Sequence, residues 1–253
     1  RQRQMCIRDS DIPKPMIPIE GRPVLEREIE CLCEQGFTDI LITVGHLGNV
    51  IMDYFGNGLK FGVHITYYFE KKPLGNAGAL FQVKDQLTDD FLLLNADAMF
   101  DIDFNRFVQY HKTHDAVATL FTHPNSHPYD SGVIIADEHM AVRKWLAKED
   151  ERPEYFKNRV NAGLHVLNKK ILEQTVEGGK VDLDRQLLKP LAGTGQMYCY
   201  DSPEYVKDMG TPERYYAVCK DFANGIVKAR NLKKRQKAIF LDPVSYTHLT
   251  LPT

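Results

Sequence analysis

Residues 91–97 read Phe-Leu-Leu-Leu-Asn-Ala-Asp. A short continuous apolar run ending in an acid predicts a strand covered on both faces. Such strands belong to sheets whose strands alternate with helices, and the flanking sequence alternates in that way. Upstream, Leu25, Ile29, Leu32 and Cys33 share one face of a helix over 24–35, and Gly36 stops it. Strands are expected over 39–44 and 63–69. A short helix over 48–55 and a Gly56-Asn57-Gly58 turn lie between them. Downstream, a helix is expected over 76–87. Asp103 caps another that carries Phe104, Phe107, Val108 and His111. Strands follow over 115–121, 132–136, 159–167, 197–200 and 205–207. Thr211-Pro212-Glu213 then opens a helix with a cap, a first-turn proline and an acid against the dipole; Asn224-Gly225 ends it. The expected fold is α/β, with a Rossmann-like, mainly parallel sheet and helices on both faces.

The chain has 253 residues, 34 acidic and 32 basic. So even a balance argues against a coat for nucleic acid or an anionic membrane. No apolar run approaches the ~20 residues of a membrane helix. The five cysteines are irregularly spaced. Cys31 and Cys33 point roughly 200° apart on a helix and cannot clasp one metal. Reduced thiols in the cytoplasm are the expectation. Residues 226–236 form a basic linker without interleaved aromatics, hence a solvated one. The ends, 1–10 and 243–253, lack periodicity, resemble translated adapter sequence and are set aside as non-native or unstructured.

In open α/β sheets ligands bind beyond the carboxyl ends of the strands. Asp97 stands at such an end and Asp208 at another, and both suit Mg²⁺. Asp101 and Asp103 have the spacing of a competing metal motif, but Asp103 is taken as a helix cap. Lys14 lies between Pro13 and Pro15, which fix the backbone and hold its ammonium ready. Gly75 and Gly78 flank Asn76 and Ala77 at a strand-to-helix turn, where backbone approaches closely and free N–H groups face a ligand. His111 and His114 are placed at the exposed end of a helix and given no metal role.

These residues resemble the sugar-1-phosphate nucleotidyltransferases. Pro13-Lys14-Pro15-Met16-Ile17-Pro18-Ile19, Pro73-Leu74-Gly75-Asn76-Ala77-Gly78-Ala79-Leu80, Asn95-Ala96-Asp97, Asn161-Ala162-Gly163 and Asp208-Met209-Gly210-Thr211-Pro212-Glu213-Arg214-Tyr215 occur in that family's order across 11–225. The strand-like stretch 237–242 resembles the start of a haloacid-dehalogenase-type phosphatase, with Asp242 as its first aspartate. That pairing is similar to fusions of a heptose bisphosphate phosphatase with a heptose-1-phosphate guanylyltransferase.

The resemblance implies a nucleotide-diphospho-sugar transferase fold. It implies transfer of a nucleotidyl group from GTP to D-glycero-D-manno-heptose 1-phosphate, with mannose or glucose 1-phosphate, or a non-catalytic binding subunit, as alternatives. Lys14 would neutralise phosphate charge and Asp97 and Asp208 would hold Mg²⁺. Pro73, Leu74, Gly75, Asn76 and Asn95 would meet the nucleotide. Gly132, Lys148 and Asn161 would meet the sugar phosphate. Partners are the nucleoside triphosphate and sugar 1-phosphate, with a fused phosphatase in the parent protein; an oligomer is compatible with this. The family's opening strand and its Gly-Gly-x-Gly-Thr-Arg loop have no counterpart, residues 1–10 standing in their place, which implies an impaired fragment. Ala96 replaces the family's glycine, and Ala147-Lys148-Glu149 its Glu-Lys-Pro.

Overall fold

The structure is a computed structural model and describes residues 12–125, 132–147, 149–174 and 179–235. Lys148, the terminal stretches and the strand expected at 237–242 lie outside those residues. A single 3₁₀ turn, Lys14–Met16, leads into the hairpin β1 (Pro18–Ile19) and β2 (Arg22–Pro23), then α1 (Val24–Cys33). Next come β3 (Asp39–Val44), α2 (Gly48–Phe55), β4 (His64–Phe69), α3 (Gly78–Gln82), β5 (Asp90–Leu94) and β6 (Ala98–Asp101). The chain continues through α4 (Phe104–Thr113), β7 (Ala118–His123), β8 (Val133–Ala136), β9 (Val142–Leu146) and β10 (Val160–Asn168). A π-helical turn, Leu183–Leu188, precedes β11 (Met197–Asp201), β12 (Tyr205–Asp208), α5 (Pro212–Ala223) and α6 (Ile226–Ala229).

The largest sheet runs β11-β7-β10-β8-β9, and β5 joins the edge of β10 that β8 also meets. β11 pairs parallel with β7, and β3 with β4; the other described ladders are antiparallel. Both faces of the sheet are covered, because side chains alternate along each strand. Leu164 and Val166 of β10 meet Phe104 and Phe107 of α4 and Leu32 of α1. Leu167 packs with Leu120, Met197 and Cys199, under Leu80 and Leu187. No helix among the described residues is long and apolar enough to cross a membrane.

Four expectations change. The largest sheet is mixed rather than mainly parallel. Residues 91–94 form a strand, but β5 is half-exposed along its length, because among the described residues it pairs only with β10. The helix expected over 76–87 is five residues, Gly78–Gln82, followed by a 3₁₀ turn, Lys84–Gln86. Asn76 does not cap it: its Oδ1 accepts the Leu183 N–H at 2.8 Å, a partner 107 residues away. His111 is buried, not exposed, with Nδ1 2.8 Å from Thr119 Oγ1 and Nε2 3.4 Å from Asp90 Oδ1.

His165, in the middle of β10, is 1% exposed. Its ring nitrogens find no hydrogen-bond partner of ordinary geometry among the described residues. Burial pushes its pKa down to about 4, against a weaker opposing pull from the Leu93 backbone. The unfolded chain therefore binds this proton more readily than the folded one. The neutral ring is fully compatible with folding above about pH 6.5, and stability is lost as pH falls from there toward 4. The loss attributable to His165 is about 3 kcal/mol. Urea midpoints at pH 7.5 and 5 should fall steeply in the natural chain and much less in His165→Leu; equal slopes would remove the assignment.

Candidate functional site

Lys14 sits on its 3₁₀ turn, closed by the Met16 N–H to Pro13 carbonyl bond at 2.8 Å, with Pro15 fixing the next residue. Its Nζ lies 3.3 Å from Asp97 Oδ2, and the two side chains are 51% and 42% exposed. Asp97 precedes β6. The β6–β12 register sets Asp208 opposite Ala98, the residue after Asp97, and the Met209 N–H donates to the Asp97 carbonyl at 3.4 Å. Two acids 111 positions apart in sequence thus stand at one corner of one ladder. Asp208 is held by Arg214, whose Nη1 lies 2.8 and 3.0 Å from its carboxylate oxygens, and by the Gly210 N–H at 3.1 Å. Thr211 caps α5 at the Arg214 N–H, which fixes where that arginine starts.

The donor set fits a hard divalent cation: two carboxylates, each open to solvent and each carrying a cation. No third His, Cys, Asp or Glu joins them among the described residues, so phosphate oxygens and water would complete the coordination. Asp101 and Asp103 are otherwise engaged. Asp103 Oδ1 caps α4 at the Arg106 N–H, as expected, and Asp101 accepts from Asn231 Nδ2.

Sequence reasoning did not single out Glu28. It is 3% exposed on α1, accepts the Ala98 N–H, and leaves Oε1 without a partner. Burial, and then the charge of Asp97, pushes its carboxyl well up. Glu28 carries no signal in sequence, because α1 reads as an ordinary amphipathic helix. His123 is a neighbour of Asp208, and burial lowers its pKa against that pull.

The loop from Pro73 to Asn76 is laced to the segment before the π-helical turn. The Val181 N–H donates to the Leu74 carbonyl at 2.7 Å, and the Ala77 N–H to the Val181 carbonyl at 3.1 Å. Gly75 has φ +86°, and a Cβ there would come within 2.3 Å of the Val181 oxygen. The close approach expected of Gly75 is thus made to the chain's own backbone. Pro73, Gly75 and Asn76 remain exposed on the rim.

A third group surrounds a bulge in β10. The β10–β7 register shifts between Asn161 and His165, and such a bulge bends the strand and re-aims its side chains. Gly163, at φ +77°, lies so close to Asn95 that a Cβ would come 2.4 Å from Asn95 Nδ2. The Gly163 carbonyl accepts the Asn95 N–H at 3.2 Å, and the Gly163 N–H donates to Asn161 Oδ1 at 3.1 Å. Asn161 Nδ2 is 3.5 Å from Asp184 Oδ1. Pairing of Val160 with Val133 brings Gly132 opposite Asn161; a Cβ on Gly132 would meet Trp145 Nε1 at 2.9 Å.

The family model for Nucleotidyl transferase matches residues 10–225. The chain belongs to the nucleotidyl transferase family. Among curated members it is 32% identical over 231 residues to the mannose-1-phosphate guanyltransferase of Saccharomyces cerevisiae, covering 89% of this chain and 61% of that protein. To the UTP–glucose-1-phosphate uridylyltransferase of Synechocystis sp. it is 32% identical over 198 residues, 73% of this chain and 51% of that protein. The chain therefore spans half to three fifths of the length of these members. HddC from Yersinia pseudotuberculosis, complexed with GMP-PN, superposes with a TM-score of 0.71 at 25% identity, covering 84% of this chain and 91% of that one. The fold is the α/β nucleotide-diphospho-sugar transferase fold of this family.

Proposed function

We propose that the chain transfers a nucleotidyl group from a nucleoside triphosphate, GTP, to a sugar 1-phosphate, giving a nucleotide sugar and pyrophosphate. The observation that carries this reading is the corner where Lys14 Nζ lies 3.3 Å from Asp97 Oδ2 and Asp208 stands across the β6–β12 ladder. A phosphate monoester has a second pKa of about 6 and is largely dianionic at pH 7, so its oxygen needs no general base to attack the α-phosphorus. The bond from that phosphorus to the bridging oxygen breaks, and pyrophosphate leaves with the electron pair. The difficulty is charge: two anions must be brought together and held in line. Lys14 answers it with a fixed ammonium. A magnesium ion held by Asp97 and Asp208 would supply further neutralisation of the phosphates. Pro73, Leu74, Gly75, Asn76 and Asn95 receive the nucleotide, and Gly132, Asn161 and Lys148 the sugar phosphate.

The guanine preference draws support from the guanyltransferases among the relatives and from the GMP-PN complex of HddC. The sugar is D-glycero-D-manno-heptose 1-phosphate on this reading. Mannose 1-phosphate, identical in ring configuration and lacking only the extra exocyclic carbon, is favoured instead by the mannose-1-phosphate guanyltransferases among the relatives. We also place the chain's action in the cytoplasm and a fused phosphatase in the parent protein. Calorimetric titration with Mg²⁺ tests the core of the proposal without requiring fast turnover. GTP should bind more tightly than UTP, and the two GDP-sugars should rank the two sugars. Absence of any nucleotide or nucleotide-sugar binding sinks the reading.

A further inference from the structure

Asp184 lies on the π-helical turn, half-buried, and no lysine, arginine or histidine pairs with it among the described residues. It is not needed to start that turn, because Asp182 already caps it at the Arg185 N–H, 2.8 Å away. Among the described residues its carboxylate has one hydrogen-bond contact, Asn161 Nδ2 at 3.5 Å, which is long. Burial first, and the neighbouring Asp182 second, pushes its carboxyl up to about 6. A desolvated carboxyl without a strong partner costs stability, which a folded chain retains most readily where a ligand supplies the missing donors.

The surroundings say what such a ligand would offer. Asn161 is oriented by the Gly163 N–H on its Oδ1, which directs Nδ2 toward Asp184. Gly132 comes opposite Asn161, and the Trp145 indole, whose Nε1 can donate, lies where a Gly132 side chain would be. The turn that bears Asp184 is bonded to the Pro73–Asn76 loop through Val181 and Leu183. Asp184 therefore sits where the nucleotide loop and the β10 bulge meet, beside groups with polar edges and, among the described residues, without a basic side chain paired to it. That is acceptor chemistry for hydroxyl groups, not for phosphate.

We infer that Asp184 is a sugar-recognising residue: its carboxylate accepts hydrogen bonds from ring hydroxyls of the bound sugar and sets which sugar is taken. This rests on the proposed nucleotidyl transfer and adds the group that reads the sugar. A site that hydrogen-bonds a hydroxyl rejects the analogue lacking it far more strongly than an apolar pocket rejects an extra group.

The test uses the full chain, Asp184→Asn and Asp184→Ala, titrated calorimetrically in Mg²⁺ with GTP and with GDP-mannose or GDP-D-glycero-D-manno-heptose, whichever the natural chain binds more tightly. Both variants should bind GTP within twofold of the natural chain and the nucleotide sugar at least tenfold more weakly. Singly deoxygenated nucleotide sugars supply the second readout. One of them should bind the natural chain at least tenfold more weakly than the parent sugar, and that penalty should vanish in Asp184→Asn, a coupling that a merely structural role does not produce. Undiminished nucleotide-sugar binding by Asp184→Asn, equal loss of GTP and nucleotide sugar, or an unchanged deoxy penalty overturns the inference and leaves nucleotidyl transfer standing. A natural chain that binds neither GTP nor nucleotide sugar overturns both.

Discussion

Asp97→Asn should lower Mg²⁺-dependent pyrophosphate release by about 10²–10³-fold, the several kcal/mol that a Lewis-acid metal supplies to a phosphoryl transition state. Stability should hardly move. The Lys14–Asp97 pair is half-exposed, and such pairs contribute about 0–1 kcal/mol. The contrast with Asp103→Asn is the informative part. Asp103 caps α4, and asparagine serves as well as aspartate at that position, so this change should leave turnover within about twofold. If Asp101 and Asp103 instead formed the metal pair of a glycosyltransferase, the order of the two effects would reverse. Steady-state rates across a Mg²⁺ titration read both, and Asp97→Asn turning over within threefold of the natural chain removes Asp97 from the metal.

Phe100→Ala should cost about 3–5 kcal/mol of folding stability. Phe100 is 0% exposed in β6 and meets Phe104 edge-on, with ring centroids 5.4 Å apart. The cavity would open in the cluster that joins α1, α4 and β10. β6 carries the chain away from Asp97 and holds β12, hence Asp208, in register, so affinity for Mg²⁺ should fall along with the urea midpoint although Phe100 touches no ligand. Phe100→Leu, closer in volume, should cost under about 1.5 kcal/mol. A loss below 1 kcal/mol in the alanine variant would show that the cluster closes over the gap.

Local signals in the sequence carried the elements well. Asp39–Val44 and Gly48–Phe55 are found at the bounds their periodicity and glycines predict, and Asp103 and Thr211 cap the helices they were expected to cap. Those features depend on neighbours in the chain, which a sequence displays directly. What was misjudged depends on distant partners. Asn76 looks like the start of a longer helix until its amide is found serving Leu183. His111 looks exposed until Asp90 and Thr119 enclose it. Asp97 and Asp208 were legible because one follows a strand and the other ends one, and Lys14 because prolines flank it. Glu28 and Asp184 gave no such sign, since their isolation from counter-charges arises only from packing.

β3 and β4 form a ladder of their own and share no backbone hydrogen bond with β5 among the described residues. Ile40 packs into both the cluster beneath α4 and the one around Phe55, so side chains bridge the two portions. Such a seam lets the α2–β3–β4 portion open as a unit while the β5–β10–β7–β11 ladder stays zipped, at a free energy below that of global unfolding. Proteases should then nick the Gly56–Gly62 connection before any bond of the larger ladder yields.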